Sequence, residues 1–388
     1  MFSQRLPWPL TTNRLNLARE EKKAAGVEIL DLTESNPTHA GLIYNEAELL
    51  RALSPPESIK YEPDSRGLEP ARTAVASYYA ERGEAVDLQN LFLTASTSEA
   101  YAYLFKLLAN PGDEILAPLP CYPLLDFLAA LESVHLQHYP LRYDETQGWQ
   151  IDFAVLENLI TTKTVALVLV HPNNPTGSFL KTHELARLNA LCLEHHLALL
   201  CDEVFLDYAS DANARPASLV SNQATLTFVV SGLSKISALP QMKLGWIYVA
   251  GPEAWCQEAS TRLEFIADTY LSVGTPVQHA AEKLLALRHD MQRQIQARTQ
   301  ANLAFLLELC RTRPNCRVLL REGGWYAVLK IPPEISEERF CVSLLKEGNV
   351  FVHPGYFFDF AQPGFLVLSL LTPPRIFQEG TQRMLTRL

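Results

Sequence analysis

The sequence predicts an α/β protein: a large unit on a mostly parallel sheet flanked by helices, and a smaller α+β unit. Three observations predict it. Short, wholly apolar runs such as Val165-Ala-Leu-Val-Leu-Val170 recur through the centre of the chain. Helical stretches alternate with them, punctuated by Gly, Pro and Asn. After Pro276 the texture changes to long helical periodicity and then to short mixed elements. A strand buried on both faces reads as an unbroken apolar run, and strands alternating with helices form parallel crossovers.

The first core strand is 91–94. It leads into a helix over 98–108, which Asn110-Pro-Gly112 stops. Further strands fall at 114–117, 165–170, 197–201, 225–230 and 245–249. Residues 278–310 carry Leu, Ala and Ile at helical spacing and read as one or two long helices. The C-terminal part holds strands at 326–331, 350–352 and 365–370, with a helix over 336–346. The large unit is placed at 45–280. The small unit joins both ends of the chain, 1–44 and 281–388.

The 388 residues include 33 Lys plus Arg and 43 Asp plus Glu, a formal charge of −10, and 48% are hydrophobic. That balance excludes a disordered chain. It argues against nucleic-acid or anionic-membrane partners, whose surfaces attract Lys and Arg. The apolar runs are far too short to span a bilayer. Residues 1–15 show no apolar core of a secretory signal. Seven cysteines without CxxC spacing read as reduced thiols in a cytoplasmic protein, with no disulfide framework and no metal site.

Four polar clusters follow predicted strands, where open α/β sheets bind ligands. Thr94-Ala-Ser-Thr-Ser-Glu-Ala100 puts Ser96, Thr97 and Ser98 at a helix N-terminus, which suits a phosphate; a simple helix cap is the plainer reading. His171-Pro-Asn-Asn-Pro-Thr-Gly177 is a rigid turn that could aim Asn174. Cys201-Asp-Glu-Val-Phe205 places Asp202 at a strand end, where a carboxylate is costly unless a cation meets it. The plain alternatives are a turn cap for Asp202 and a surface salt bridge for Glu203. Ser231-Gly-Leu-Ser-Lys235 offers Ser234 and a lysine that becomes a nucleophile if its pKa is depressed, with Lys243 beyond it. A lone lysine is more often a solvated charge. One cofactor would use all four clusters. Pyridoxal phosphate needs a lysine for its aldehyde, an acid for its ring nitrogen and an anion site for its phosphate.

In order and spacing these pieces resemble the class I/II aminotransferases, fold-type I pyridoxal-phosphate enzymes. The likeness covers nearly the whole chain. It runs from Tyr61-Glu-Pro-Asp-Ser-Arg-Gly67 through Pro120-Cys-Tyr-Pro123 and the four clusters to Val352-His-Pro-Gly355. It implies that Lys235 forms the Schiff base, Asp202 pairs with the pyridine nitrogen, and Asn174 bonds the ring oxygen. Tyr122 would stack on the ring. Ser96, Thr97, Ser98, Ser234 and Lys243 would surround the phosphate. Tyr61 matches a tyrosine that reaches the neighbouring subunit's phosphate, which implies a homodimer with shared active sites. The implied activity moves an amino group between an amino acid or amine and a 2-oxo acid. A lyase or decarboxylase on the same fold is the alternative, and a non-catalytic cofactor-binding protein comes third.

Three positions depart from the family pattern. Phe205 stands where a tyrosine is usual, so the imine pKa is expected to be raised. Lys243 replaces the usual arginine, keeping the charge but losing the bidentate fork. In Phe365-Leu-Val-Leu-Ser369 the place of the arginine that clamps the substrate carboxylate falls on Val367. Arg14 and Lys330 are candidate substitutes, and a register slip would bring in Arg375. Trp325 and Tyr326 are expected to shape the substrate pocket.

Overall fold

The structure is a computed structural model that describes all residues except 1, 4, 6, 7, 9, 10 and 212–215. Strand β1 (Leu30–Asp31) pairs in parallel with residues near the C-terminus, Leu30 opposite Val350. An eight-stranded sheet follows: β2 (Leu91–Thr94), β3 (Glu114–Leu119), β4 (His135–Asp144), β5 (Gly148–Ile151), β6 (Thr164–Val170), β7 (Ala198–Asp202), β8 (Thr227–Gly232) and β9 (Gly245–Ala250). Its spatial order is β2-β9-β8-β7-β6-β3-β4-β5. The central ladders β8–β7–β6–β3–β4 are parallel. The outer β4–β5 pair is antiparallel, as is β9 against both neighbours. The sheet is therefore mixed, with a parallel centre.

Its strands are buried on both faces, as their apolar runs require. Leu167, Leu169, Leu199 and Cys201 pack on one side, with Ala280, Ala281 and Leu284 of helix Thr275–Ala286. Ala166, Val168, Ala198 and Leu200 pack on the other, with Leu104 of helix Thr97–Leu108 and Leu263 of helix Glu253–Tyr270. Adjacent side chains on a strand point to opposite faces, so one run builds two cores.

The antiparallel setting of β9 matters for the site. Both β2 and β8 run against it, so their carboxyl ends lie at one edge of the sheet. The parallel strands β6 and β7 end there too. All four polar clusters are thus gathered at that edge.

The C-terminal part carries β10 (Arg317–Val318), β11 (Tyr326–Lys330), β12 (Val350–Phe351), β13 (His353–Pro354) and β14 (Phe365–Ser369). β12 is the partner of β1, and the others form a sheet in the order β10-β11-β14-β13. Leu15, Leu30 and Leu32 share a core with Leu306, Leu344, Leu366, Leu368 and Phe377. The N-terminal segment is packed there by its own apolar residues.

The described residues hold no helix long and apolar enough to cross a membrane, and no group of His, Cys, Asp and Glu that could hold a metal ion. All seven cysteines are free, although Cys310 Sγ and Cys316 Sγ lie 3.5 Å apart.

Candidate active site

The sheet edge opens into a cleft of about 340 Å³, lined by Ser96, Thr97, Ser98, Tyr122, Asn174, Asp202, Ser234, Lys235 and Lys243. Nine of the ten candidate residues read from the sequence meet there. Tyr61, the tenth, stands 76% exposed and belongs to a different surface hollow, beside Ser65 and Leu271.

At one end of the cleft, Ser96 caps helix Thr97–Leu108: its Oγ accepts from Glu99 N–H at 3.2 Å. Glu99 Oε2 accepts from Ala95 N–H at 2.6 Å. The cap and the anion site coexist, because the N–H groups of Thr97 and Ser98 have no carbonyl one turn earlier to bond. Lys243 adds a cation with a backbone φ of 51°. Gly245 lets β9 approach this helix start. A Cβ there would sit 3.1 Å from the Ser96 carbonyl carbon and 3.2 Å from Thr94 Oγ1.

Asn174 sits in a turn fixed from within. Asn173 Oδ1 accepts from the Thr176 hydroxyl at 2.8 Å, and Gly177 N–H bonds Asn173 O at 2.7 Å. Gly177 has φ 71°, and a Cβ there would run into Gly323 O. His171 Nδ1 accepts from Leu180 N–H at 3.0 Å, and burial pushes its pKa down to about 4, so it acts as a neutral brace.

Asp202 lies at the floor of the cleft. Burial pushes its carboxyl up to about 6; Val204 N–H, the Tyr101 hydroxyl and the charge of Lys235 pull in the other direction. Oδ1 accepts from Val204 N–H at 3.0 Å and Oδ2 from Tyr101 Oη at 3.4 Å. The turn-cap reading therefore holds as well, but no ion pair forms among the described residues. Glu203 corrects the surface reading. It is buried behind the sheet, accepting from the Ser218 hydroxyl at 2.6 Å and Leu219 N–H at 2.7 Å, with burial pushing it up to about 7.

Lys235 sits on the short helix Leu233–Ile236. Its main chain is anchored by Tyr208 Oη donating to Lys235 O at 2.6 Å and Gln292 Nε2 donating to Ile236 O at 3.0 Å. Nζ lies 5.4 Å from the Trp325 ring centroid and 5.7 Å from that of Phe205, with no carboxylate in ion-pair range among the described residues. Burial lowers its pKa, and Asp202 partly opposes this. Cofactor-free protein should therefore take up pyridoxal phosphate faster as pH rises, with a midpoint below the ordinary lysine value. Absorbance progress curves across pH would check this. A midpoint at or above the free-lysine value would show that Nζ is not desolvated.

These residues fit the phosphorylated aldehyde expected from the sequence. Among the described residues the lysine has no ion-pair partner and the enclosed carboxylate no cation in ion-pair range, and an uncovered helix start lies beside Lys243. Asn174 lines the same cleft, and its amide carries a buried Oδ1 without a hydrogen-bond partner among the described residues.

The departures are equally plain. Phe205 is 3% exposed, edge-on to Trp325, with no hydroxyl to offer. Val367 is 1% exposed in the middle of β14, between Val328 and His353. None of the candidate substitutes lines the cleft. Arg14 is exposed at the start of helix Arg14–Ala24. Lys330 is exposed at the far end of β11, opposite Phe365. Arg375 is on the surface, paired with Glu28 at 3.0 Å.

Sequence reasoning missed Tyr101, Ser35 and the leucines at 124, 125 and 128, all of which line the cleft. Tyr101 stands three residues after Ser98 on the same helix, so helical spacing was an available signal. Ser35 comes from the N-terminal segment through tertiary packing, and no local pattern marks it.

The chain belongs to the aminotransferase class I and II family, whose sequence pattern matches residues 28–376. It is a pyridoxal-phosphate-dependent aminotransferase. An alanine aminotransferase of Mycobacterium tuberculosis is 29% identical over 379 residues, covering 93% of this chain and 86% of the relative. A glutamate–pyruvate aminotransferase of Escherichia coli is 26% identical over 362 residues, covering 90% and 87%. Among solved structures, an alanine aminotransferase from Pyrococcus furiosus matches with a TM-score of 0.88 at 24% identity, over 100% of this chain and 99% of that one.

Proposed function

We propose that this cleft binds pyridoxal phosphate and moves an amino group between an amino acid or amine and a 2-oxo acid, with Lys235 and Asp202 as catalytic residues. The observation that carries the proposal is the meeting of an unpaired, half-buried Lys235 with an enclosed, unpaired Asp202 beside an uncovered helix start. Bound pyridoxal phosphate supplies an electron sink for negative charge on the reacting carbon. Asp202 holds a proton at the ring nitrogen. Lys235 Nζ holds the cofactor and then moves a proton to and from the substrate carbon. Asn174 donates to the ring oxygen, and Tyr122 covers the ring face. The Thr97 and Ser98 N–H groups, with the Ser96 and Ser234 hydroxyls and Lys243, bind the phosphate.

The large unit, 45–280, is proposed to carry the cofactor, and the small unit, 1–44 with 281–388, to close over the substrate. A cytoplasmic homodimer is proposed. Ile59 and Tyr61 stand 91% and 76% exposed, apolar surface that a second copy would cover while bringing Tyr61 to its phosphate.

The test is an amino-donor screen on the loaded enzyme, read by cofactor absorbance. Conversion to the amino form of the cofactor, reversed by a 2-oxo acid, is the expected result. Release of ammonia or carbon dioxide in its place would overturn it in favour of a lyase or decarboxylase.

A further inference from the structure

We propose that the preferred amino donor is a primary amine whose reacting carbon carries no carboxylate. The proposal rests on the amino-transfer reading above and names its substrate class.

It begins with β14. Leu366 and Leu368 point into the small core, so Phe365, Val367 and Ser369 share the opposite face. Ser369 is opposite Tyr326, a cleft residue, and its Oγ donates to Glu34 O at 2.6 Å, next to Ser35, another cleft residue. This face of β14 therefore turns toward the substrate end. Val367 on that face is uncharged, 1% exposed and not itself part of the cleft lining, so the strand brings no cation to the cleft.

Among the described residues no cation makes good the loss. Among the described residues that line the cleft, only Lys235 and Lys243 are cationic, and both serve the cofactor. Arg321 is enclosed nearby, but its guanidinium donates to Gly323 O at 2.8 Å and Gly324 O at 2.5 Å, and it does not line the cleft. His353, opposite Val367, is kept neutral by burial, which pushes it down to about 4. Asp31, whose charge favours its protonated form, and Arg19, whose charge opposes it, face it without reversing that.

The substrate end is walled instead by Leu124, Leu125, Leu128, Val204, Phe205 and Tyr326, with the Ser35 hydroxyl as a neutral polar group. A carboxylate entering this end loses its water and gains no cation, whereas a hydrogen or an alkyl or aryl group on the same carbon loses little. The acceptor passes through the same pocket, so a 2-oxo acid should show a high KM for the same reason.

Matched pairs test this on the loaded enzyme: L-leucine against 3-methylbutylamine, and L-phenylalanine against 2-phenylethylamine. Single-turnover absorbance changes would give kcat/KM for each. The amine should exceed its amino acid by about tenfold, the least that an uncompensated buried charge costs. An amino acid that outruns its amine would overturn the proposal and show that a cation reaches the pocket, for instance from a second copy. Silence with these four and with every other donor would overturn the amino-transfer reading itself. In Val367→Arg the preference should swing toward the amino acid by about tenfold or more, since a buried arginine pairs a carboxylate in two bonds. A melting curve on the same sample checks its folding. The wild-type pairs decide the matter if that variant does not fold.

Discussion

Lys235→Ala should lower amino transfer by at least about 10⁴-fold. A positioned acid–base group contributes about 10²–10⁴-fold, and this residue also supplies the attacking amine. The fold should be untouched. Tyr208 bonds the carbonyl oxygen of residue 235, Leu233 N–H bonds Leu244 O at 2.9 Å, and neither contact uses the lysine side chain. Among the described residues Nζ has no carboxylate in ion-pair range to abandon, so the melting temperature should stay near the wild-type value or rise. Lys235→Arg should not rescue activity, because a guanidinium stays protonated and cannot attack. Borohydride reduction followed by peptide mass spectrometry reads the same point chemically. The cofactor should be fixed to the wild-type chain at Lys235 and not fixed in either variant. A variant within tenfold of wild type, or cofactor fixed to another lysine, would sink the assignment.

The parallel centre of the sheet was legible because burial on both faces leaves a run such as 165–170 no polar position. The edge hairpin was not. His135–Asp144 contains Pro140 and three charged or His side chains beyond its first residue, and much of it is exposed. Each half of β4 has a ladder partner on one side only, β3 for 135–140 and β5 for 141–144, so it tolerates proline and polar groups and lacks the signal that marks a core strand. The antiparallel placement of β9 was equally silent. Gly245–Ala250 is as apolar as the parallel strands at the centre of the sheet, and direction is set by the connection, not by composition.

In the site, the residues that were legible lie at the end of a strand or within a few residues after one, where sequence order and spatial order agree. Asp202, Asn174 and Lys235 are of that kind. Tyr326, expected from the sequence to shape the pocket, does line the cleft, whereas Ser35 was not legible: the Ser369–Glu34 bond and the β11–β14 ladder bring it there from the other end of the chain. The departure at Val367 was legible, but its consequence was not. Only the structure shows Arg14, Lys330 and Arg375 on the surface, away from the cleft.

Asp202→Asn should act in opposite directions on the empty and the working protein. Burial holds the carboxyl at about 6 in the folded, cofactor-free chain, against an ordinary value of 3.8. The folded state therefore binds this proton more tightly than the unfolded state does. The group's destabilising effect is absent below about pH 4, grows as pH rises through that interval, and is complete above about 6. Asparagine has no proton to lose. Cofactor-free Asp202→Asn should then melt higher than wild type at pH 7, with the gain closing as pH falls toward 4. Asparagine Oδ1 can still accept from Val204 N–H, and its Nδ2 would donate to the Tyr101 oxygen where the carboxylate accepted from it. Catalysis should move the other way. A protonated ring nitrogen needs a carboxylate opposite it, and breaking a buried charge pair costs about 3–5 kcal/mol, or about 10²–10⁴-fold in rate. Cofactor affinity of the wild type should weaken below pH 6, where binding must first expel the Asp202 proton, and the variant should lose that dependence. Melting curves of the empty protein and single-turnover rates of the loaded one, both taken across pH, decide it. A variant that melts lower than wild type at pH 7, or keeps its rate, would show that Asp202 is a structural cap and not the partner of the ring nitrogen.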